Sequence, residues 1–274
     1  MKPRSIVFDL FGDYVRYHGG EIRLRALIQL LEAFDVGEST VRVVMNRLGK
    51  EGWFDARRDG RETVYLLTDR SWRLLDEGRE RIFERASGDW DRRWSMVIYT
   101  VPESDRALRE GLRKDLAWLG FGSLAASTWV SPWDRLGMVE ERFADKPGIR
   151  LDLLRCESTG LAKDREMVGR CWDLDALNAD CEDLLRTYRP RMADYRSGRL
   201  EPRDALVERM RLTHDYRHFP FRDPGLPDEL VPAGWKGAEA HELFLAAHDL
   251  LREPAEEYFR SVAGEPSQKI MTKG

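Results

Sequence analysis

The sequence predicts a mixed α+β, multidomain protein, and three observations predict it. Apolar residues recur at i, i+3, i+4 and i+7 through residues 24–48, the period of helices packed on a core, and this pattern ends at a Gly-centred hairpin. Short apolar segments then alternate with amphipathic helical ones between residues 94 and 156. From about residue 173 the pattern is helical, apart from one segment crowded with Pro and Gly. Domains are therefore expected at 1–87, 88–172 and 173–274.

The first domain opens with a helix through "SIVFDLFGDYVRY" and a turn at His18-Gly19-Gly20. In "IRLRALIQLLEAFDVGES", Leu24, Leu27, Ile28 and Leu31 form one stripe of a second helix. In "STVRVVMNRLGKEGW", Val41, Val44, Met45 and Leu48 form the stripe of a third, with Ser39 or Thr40 as its cap and Gly52 at its exit. Gly37 lies in the turn joining the last two, which makes a helix-turn-helix. In "FDARRDGRETVYLLT", Phe54, Thr63, Val64 and Tyr65 favour strands and Asp59-Gly60 marks a hairpin, a wing beside the helices. A helix over "DRSWRLLDEGRERIFERA", capped by Asp69 and carrying Trp72, Leu75, Arg79 and Ile82, closes a winged helix-turn-helix domain.

The outward face of the third helix collects Arg42, Val43, Asn46, Arg47 and Lys50, with no acid before Glu51. A solvated helix face ordinarily mixes both charge signs, and Val43 points away from the core stripe. Arg57, Arg58 and Arg61 crowd the hairpin tip. Between residues 42 and 61 six cations stand against three acids, on a chain of net charge −4. A local cationic patch on an acidic molecule is the footprint of a polyanion partner. Double-stranded DNA is therefore expected to meet Ser39, Thr40, Arg42, Val43, Asn46, Arg47, Lys50, Arg57, Arg58 and Arg61.

In the second domain "WSMVIYTV" reads as a buried strand and "ESDRALREGLRKDLAWLGF" as a helix carrying Leu108, Leu112, Leu116 and Leu119. "SLAASTWVSP" reads as a strand, "LGMVEERFAD" as a helix and "GIRLDLLRCES" as a strand, an order that suggests a ferredoxin-like α+β domain. The third domain is mainly helical: residues 174–198, 202–219 and 237–264. Between the last two, "FPFRDPGLPDELVPAGWKG" is expected to run extended and wrap another element. The tail after Pro266 is polar and expected to fray.

Several functional classes find no foothold. No apolar run approaches the roughly 18 residues of a membrane span, and "MKPRSIVFDLFGDY" has no signal core, so a cytoplasmic location without a membrane partner is expected. Cys156, Cys171 and Cys181 are odd in number and lack C-x-x-C spacing, which argues against disulfides or a zinc ribbon. His214 and His218 are spaced i,i+4, but without HExxH or clustered acids they read as partners of the extended segment rather than metal ligands. His241 and His248 read as core or boundary residues. No G-x-S-x-G, Walker or G-x-G-x-x-G motif is present. Neither enzyme activity nor a metal or cofactor is expected.

Four stretches together carry a resemblance: "LFGDYVRYHGGEI", "STVRVVMNRLGKEGW" with its basic wing, Trp90 with "WSMVIYTVPE", and "HDYRHFPFRDPGLPDELVPAGWKG". In that order they resemble the PaaX family, bacterial repressors of phenylacetate catabolism, over nearly the whole chain. The resemblance implies a homodimeric transcription factor that binds palindromic operators and releases them on binding an aryl-acetyl-CoA, typically phenylacetyl-CoA. It places the recognition helix at residues 39–52. A CoA thioester needs cations for its phosphates and an apolar slot for its acyl group. The candidates are Arg92, Arg93, Trp94, His214, Tyr216, Arg217 and Trp235, with inter-domain salt links as the competing role. A DNA-binding regulator with a non-CoA effector is one alternative. The other is a metal-dependent nuclease, because the central domain also resembles the small CRISPR-associated nuclease fold. That fold uses a metal-binding aspartate at the end of its first strand, where this chain has Thr100. Glu103 and Asp105 just beyond are simpler to read as helix caps.

Overall fold

A computed structural model describes residues 1–84, 89–223 and 225–264. The expected boundary at residue 87 and the tail after Pro266 lie outside the described residues. In chain order the elements are α1 (Pro3–Asp13), β1 (Glu21–Arg23), α2 (Leu24–Glu32), α3 (Glu38–Lys50), β2 (Phe54–Asp59), β3 (Glu62–Leu67), α4 (Asp69–Phe83), β4 (Trp94–Thr100), α5 (Arg106–Trp118) and β5 (Gly122–Ala125). There follow β6 (Thr128–Ser131), α6 (Leu136–Phe143), β7 (Arg150–Cys156), α7 (Leu161–Cys171), α8 (Leu174–Tyr188), α9 (Met192–Ser197), α10 (Pro202–Tyr216), α11 (Gly237–Leu250) and α12 (Arg252–Ala263). Two compact units result, one of residues 1–83, 184–217 and 241–274, the other of residues 84–183 and 218–240.

In the first unit, Pro3 occupies the start of α1, where its fixed φ suits a helix and its missing N–H is not needed. Phe11 of α1 packs on Phe54 with ring centroids 4.3 Å apart, and α2 and α3, which are in contact, bury Leu27, Leu30 and Leu31 and Val41, Met45 and Leu48 respectively. The sheet runs β1-β3-β2, all antiparallel. Its hairpin pairs Asp59 with Glu62, so the two loop residues are Gly60 and Arg61, and Gly60 takes the positive φ (62°) that such a turn demands. β1 is too short, at three residues, to leave a periodic signature.

Two caps differ from those expected. α3 starts at Glu38 with Gly37 in the capping position, so Ser39 and Thr40 lie inside the first turn and cap nothing. Glu38 gains there by facing the positive end of the helix. At the other end Trp53 N–H reaches Leu48 O (3.0 Å) and Gly52 N–H reaches Gly49 O (3.0 Å), with Gly52 at φ 75°. This pair of bonds closes the helix in a Schellman motif. At α4 the hydroxyl of Thr68, rather than Asp69, accepts from Ser71 N–H (3.3 Å).

The C-terminal helices of this unit extend the core built on α1. Tyr14 stacks on Phe259 at 5.1 Å, and Tyr216 on Phe244 at 4.0 Å. The helix expected over 237–264 is broken at Leu251, because Pro254 in the first turn of α12 cannot donate to a preceding carbonyl.

The second unit holds a four-stranded antiparallel sheet in the order β5-β6-β4-β7. One face, with Val97, Tyr99 and Trp129, packs on Leu112 and Leu116 of α5 and Val139 and Phe143 of α6. The other gathers Trp90, Trp94 and Val130 with Val168 of α7 and Leu226 and Leu230 of the Pro- and Gly-rich segment. That segment is fastened by Trp133 Nε1 to Gly225 O (2.8 Å), Arg165 Nε to Glu229 O (2.7 Å) and Arg222 to Asp180. "SLAASTWVSP" is a hairpin, β5 and β6, rather than one strand; Tyr99 donates to Ala126 O at its turn (2.9 Å). α7 was absent from the sequence expectation, and its end lies so close to β5 that a Cβ on Gly122 would sit 2.5 Å from the Trp172 ring.

Candidate nucleic-acid interface

The outer face of α3 is open to solvent along its length. Ser39, Thr40, Arg42, Val43, Asn46, Arg47 and Lys50 are all exposed, and Val43 is 69% exposed. Val43 therefore forgoes most of the roughly 1.5–3 kcal/mol that a Val side chain gains on full burial. Two of the cations are tethered within the face. Arg42 places Nε 2.8 Å and Nη2 2.6 Å from Glu38 Oε1, and Arg47 Nε donates to Glu51 Oε1 at 2.8 Å. The face therefore carries acids at both ends. Glu38 lies one residue before the stretch that the sequence pattern marks as helix.

On the hairpin, Arg57, Arg58 and Arg61 are exposed. Arg57 Nη2 lies 2.8 Å from Glu21 Oε2 of β1, and Arg23 reaches Glu62 at 3.3 Å and Asp59 at 3.6 Å. Among the described residues, Lys50, Arg58 and Arg61 have no ion pair, so their charge is uncommitted. The i,i+4 partners Glu38 and Glu51 were legible from spacing; Glu21 was not.

Behind this face α1 presents two carboxylates to the C-terminal helices. Asp9 receives Arg217 Nη1 (2.7 Å) and His214 Nδ1 (3.3 Å), and Thr213 Oγ1 donates to Asp13 (3.1 Å). Burial pushes the Asp9 carboxyl above the usual carboxylate range, against the pull of His214 and Arg217. At Asp13 burial again opposes ionisation, but His248 and Arg209 outweigh it and hold the group low. Arg209 lies over the Tyr14 ring at 5.1 Å and donates to His248 O at 3.2 Å. Burial holds the His248 imidazole below its ordinary 6.5. His214 thus bonds to α1, because a buried carboxylate must be matched.

Over 270 residues the chain is 33% identical to the Transcriptional repressor PaaX of Escherichia coli (strain K12), a match spanning 96% of this chain and 84% of that relative. The chain belongs to the PaaX family. The models for "PaaX-like protein", "PaaX protein central Cas2-like domain" and "PaaX-like protein C-terminal domain" match residues 2–71, 87–168 and 172–261. The solved structure of the uncharacterized protein Rv0674 from Mycobacterium tuberculosis has a similar fold, with TM-score 0.62 and 24% identity over 95% of this chain and 98% of that one.

In this PaaX-family chain the candidate effector residues fall in both units. Trp94 is 1% exposed, with Nε1 donating to Asp164 Oδ1 at 2.8 Å and its ring edge-on to Trp90. Arg92 is exposed at a positive φ (62°), Arg93 pairs with Glu157 at 3.2 Å, and Trp235 buries an Nε1 that has no hydrogen-bond partner. These four belong to the second unit. His214, Tyr216 and Arg217 belong to the first, Tyr216 being bonded to His241 Nδ1 at 2.8 Å. The second unit also has an open cleft of about 830 Å³ between the α7–α8 junction and residues 228–233. Asp105 caps α5 by accepting from Leu108 N–H (2.9 Å), and Thr100 stands exposed at the end of β4. Among the described residues no cluster of three or more His, Cys, Asp or Glu is placed to hold a metal, and no helix is long and apolar enough to cross a membrane.

Proposed function

We propose that this PaaX-family chain is a homodimeric transcriptional repressor that reads operator DNA through a winged helix-turn-helix and is released by an aryl-acetyl-CoA such as phenylacetyl-CoA. The observation that carries the reading is the open outer face of α3, with Val43 exposed between two arginines, beside a hairpin holding uncommitted cations. An α-helix fits the major groove, where Arg pairs bidentately with guanine, Asn with adenine, and an apolar group meets the thymine methyl. Arg42, Asn46 and Arg47 take the base edges, Val43 the methyl, and Lys50, Arg58 and Arg61 the phosphates. One helix reads only a few base pairs, so two copies on a palindrome supply specificity. In this reading residues 1–87 bind DNA, the ferredoxin-like 88–172 links or dimerises, and 173–274 respond to the effector.

Release requires the effector to prefer one of two states of the protein. The cleft beside Trp172, Leu230 and Pro232 has room for an acyl group, but Asp173, Asp175 and Asp228 outnumber Arg165 and Arg170 there. The CoA phosphates are better served by cations elsewhere, such as Arg92. A nuclease reading is disfavoured by Thr100, a neutral single oxygen where a hard cation wants carboxylates.

A gel shift with the promoter beside the gene tests the proposal. Retardation of that duplex over an unrelated one, reversed by phenylacetyl-CoA and not by phenylacetate, is the expected result. Equal retardation of both duplexes would sink the repressor reading. A complex indifferent to phenylacetyl-CoA would remove the effector alone, and strand cleavage with Mg²⁺ or Mn²⁺ would favour the nuclease.

A further inference from the structure

We propose that Glu51 is a positioning residue for DNA discrimination: it fixes the guanidinium of Arg47 and withholds that charge from non-specific phosphates. The inference rests on the DNA-reading role of α3. Both carboxylate oxygens of Glu51 are engaged, Oε1 with Arg47 Nε at 2.8 Å and Oε2 with Arg4 Nη1 of α1 at 2.6 Å. Hydrogen bonds from Arg4 first, then Arg47, hold its carboxyl below the usual range.

The backbone beneath it is also fixed. Glu51 is the C-cap of α3, its carbonyl accepts from Arg70 Nη1 at 2.9 Å, and Arg70 lies 3.7 Å over the Trp53 ring. The acceptor is therefore mounted on a rigid frame, unlike Glu38, which pairs with Arg42 across its own exposed first turn.

Exposed ion pairs contribute little to stability, so this one is better understood through what it does to Arg47. A guanidinium anchored through Nε offers its two terminal amino groups end-on, the geometry of bidentate contact with guanine. The negative charge beside it opposes any phosphate that approaches without a matching base. A freed Arg47 engages phosphates of every sequence and loses rotamer freedom on each specific contact.

The test uses the full chain, a duplex enriched by the wild-type protein from a random-sequence pool, and calf-thymus DNA as the heterologous competitor. In Glu51→Gln the ratio of enriched to heterologous affinity falls about tenfold, and the salt slope on heterologous DNA steepens by about 1.8 for two copies. Glu110→Gln, which breaks the exposed Arg106–Glu110 pair of α5 (2.9 Å), keeps the wild-type ratio and slope. A Glu51→Gln protein with wild-type melting, ratio and slope overturns the proposal. A wild-type protein that enriches no sequence removes the DNA-reading role on which it stands.

Discussion

The uncommitted charges on the hairpin make the salt dependence of DNA binding a quantitative test. Arg58 and Arg57 are neighbours on β2, both exposed, but Arg57 is held 2.8 Å from Glu21 whereas Arg58 has no ion pair among the described residues. Each phosphate contact contributes about −0.9 to the slope of log affinity against log salt. On the proposed homodimeric reading Lys50, Arg58 and Arg61 give three contacts per protomer and a slope of about −5.4 for two copies, so a fourfold rise in salt lowers affinity by about two-thousandfold. Arg58→Ala removes one contact per protomer and flattens the slope by about 1.8. At 0.1 M salt that corresponds to about 1.2 kcal/mol per contact, lost alike on every sequence. Arg57→Ala, whose charge is already engaged, flattens the slope by less than half as much. Fluorescence anisotropy over a salt series, on the enriched duplex and on heterologous DNA, measures all of this. Equal slopes for Arg58→Ala and wild type, or equal flattening by both variants, would refute the assignment of phosphate contacts.

Two further outcomes follow from buried polar groups. His248 is kept neutral by burial among Asp13, Arg209 and Asp249, so below pH 6.5 the unfolded chain takes up a proton that the folded chain does not. Its folded pKa is depressed, so the associated stability is intact above 6.5 and falls by up to about 1.4 kcal/mol per pH unit below it. Urea midpoints between pH 7 and 5.5 should fall less steeply in His248→Gln; parallel profiles would rule the histidine out. Asp164→Ala strands the Trp94 indole N–H in the core and should cost about 1–3 kcal/mol, with Asp164→Asn recovering most of it. A loss in the alanine variant no larger than in the asparagine one would mean that the bond contributes little.

Local periodicity made much of the fold readable and long-range pairing did not. α3 was legible because Val41, Met45 and Leu48 repeat on one side, and the hairpin because Asp59-Gly60 has few alternative conformations. α7 was not, since Val168 and Asp164 are its only buried residues and one of them is an acid held by a tryptophan. The bond between His214 and Asp9 spans 205 positions, and no spacing rule connects residues so distant. At the candidate interface all ten expected side chains are exposed, and three of their six cations are paired. Glu21, Glu38 and Glu51 take up three of the arginines, and only the packing of β1 beside β3 brings Glu21 within reach.

The seating of α1 between α3 and the C-terminal helices makes the first unit one fold woven from both ends of the chain. A fragment ending after α4 would lack Arg217 and His214 beside Asp9, and Arg209 and Thr213 beside Asp13. Chimeras that exchange N-terminal segments between relatives must therefore splice in residues 184–217 and 241–264 along with them, or leave two carboxylates facing foreign neighbours.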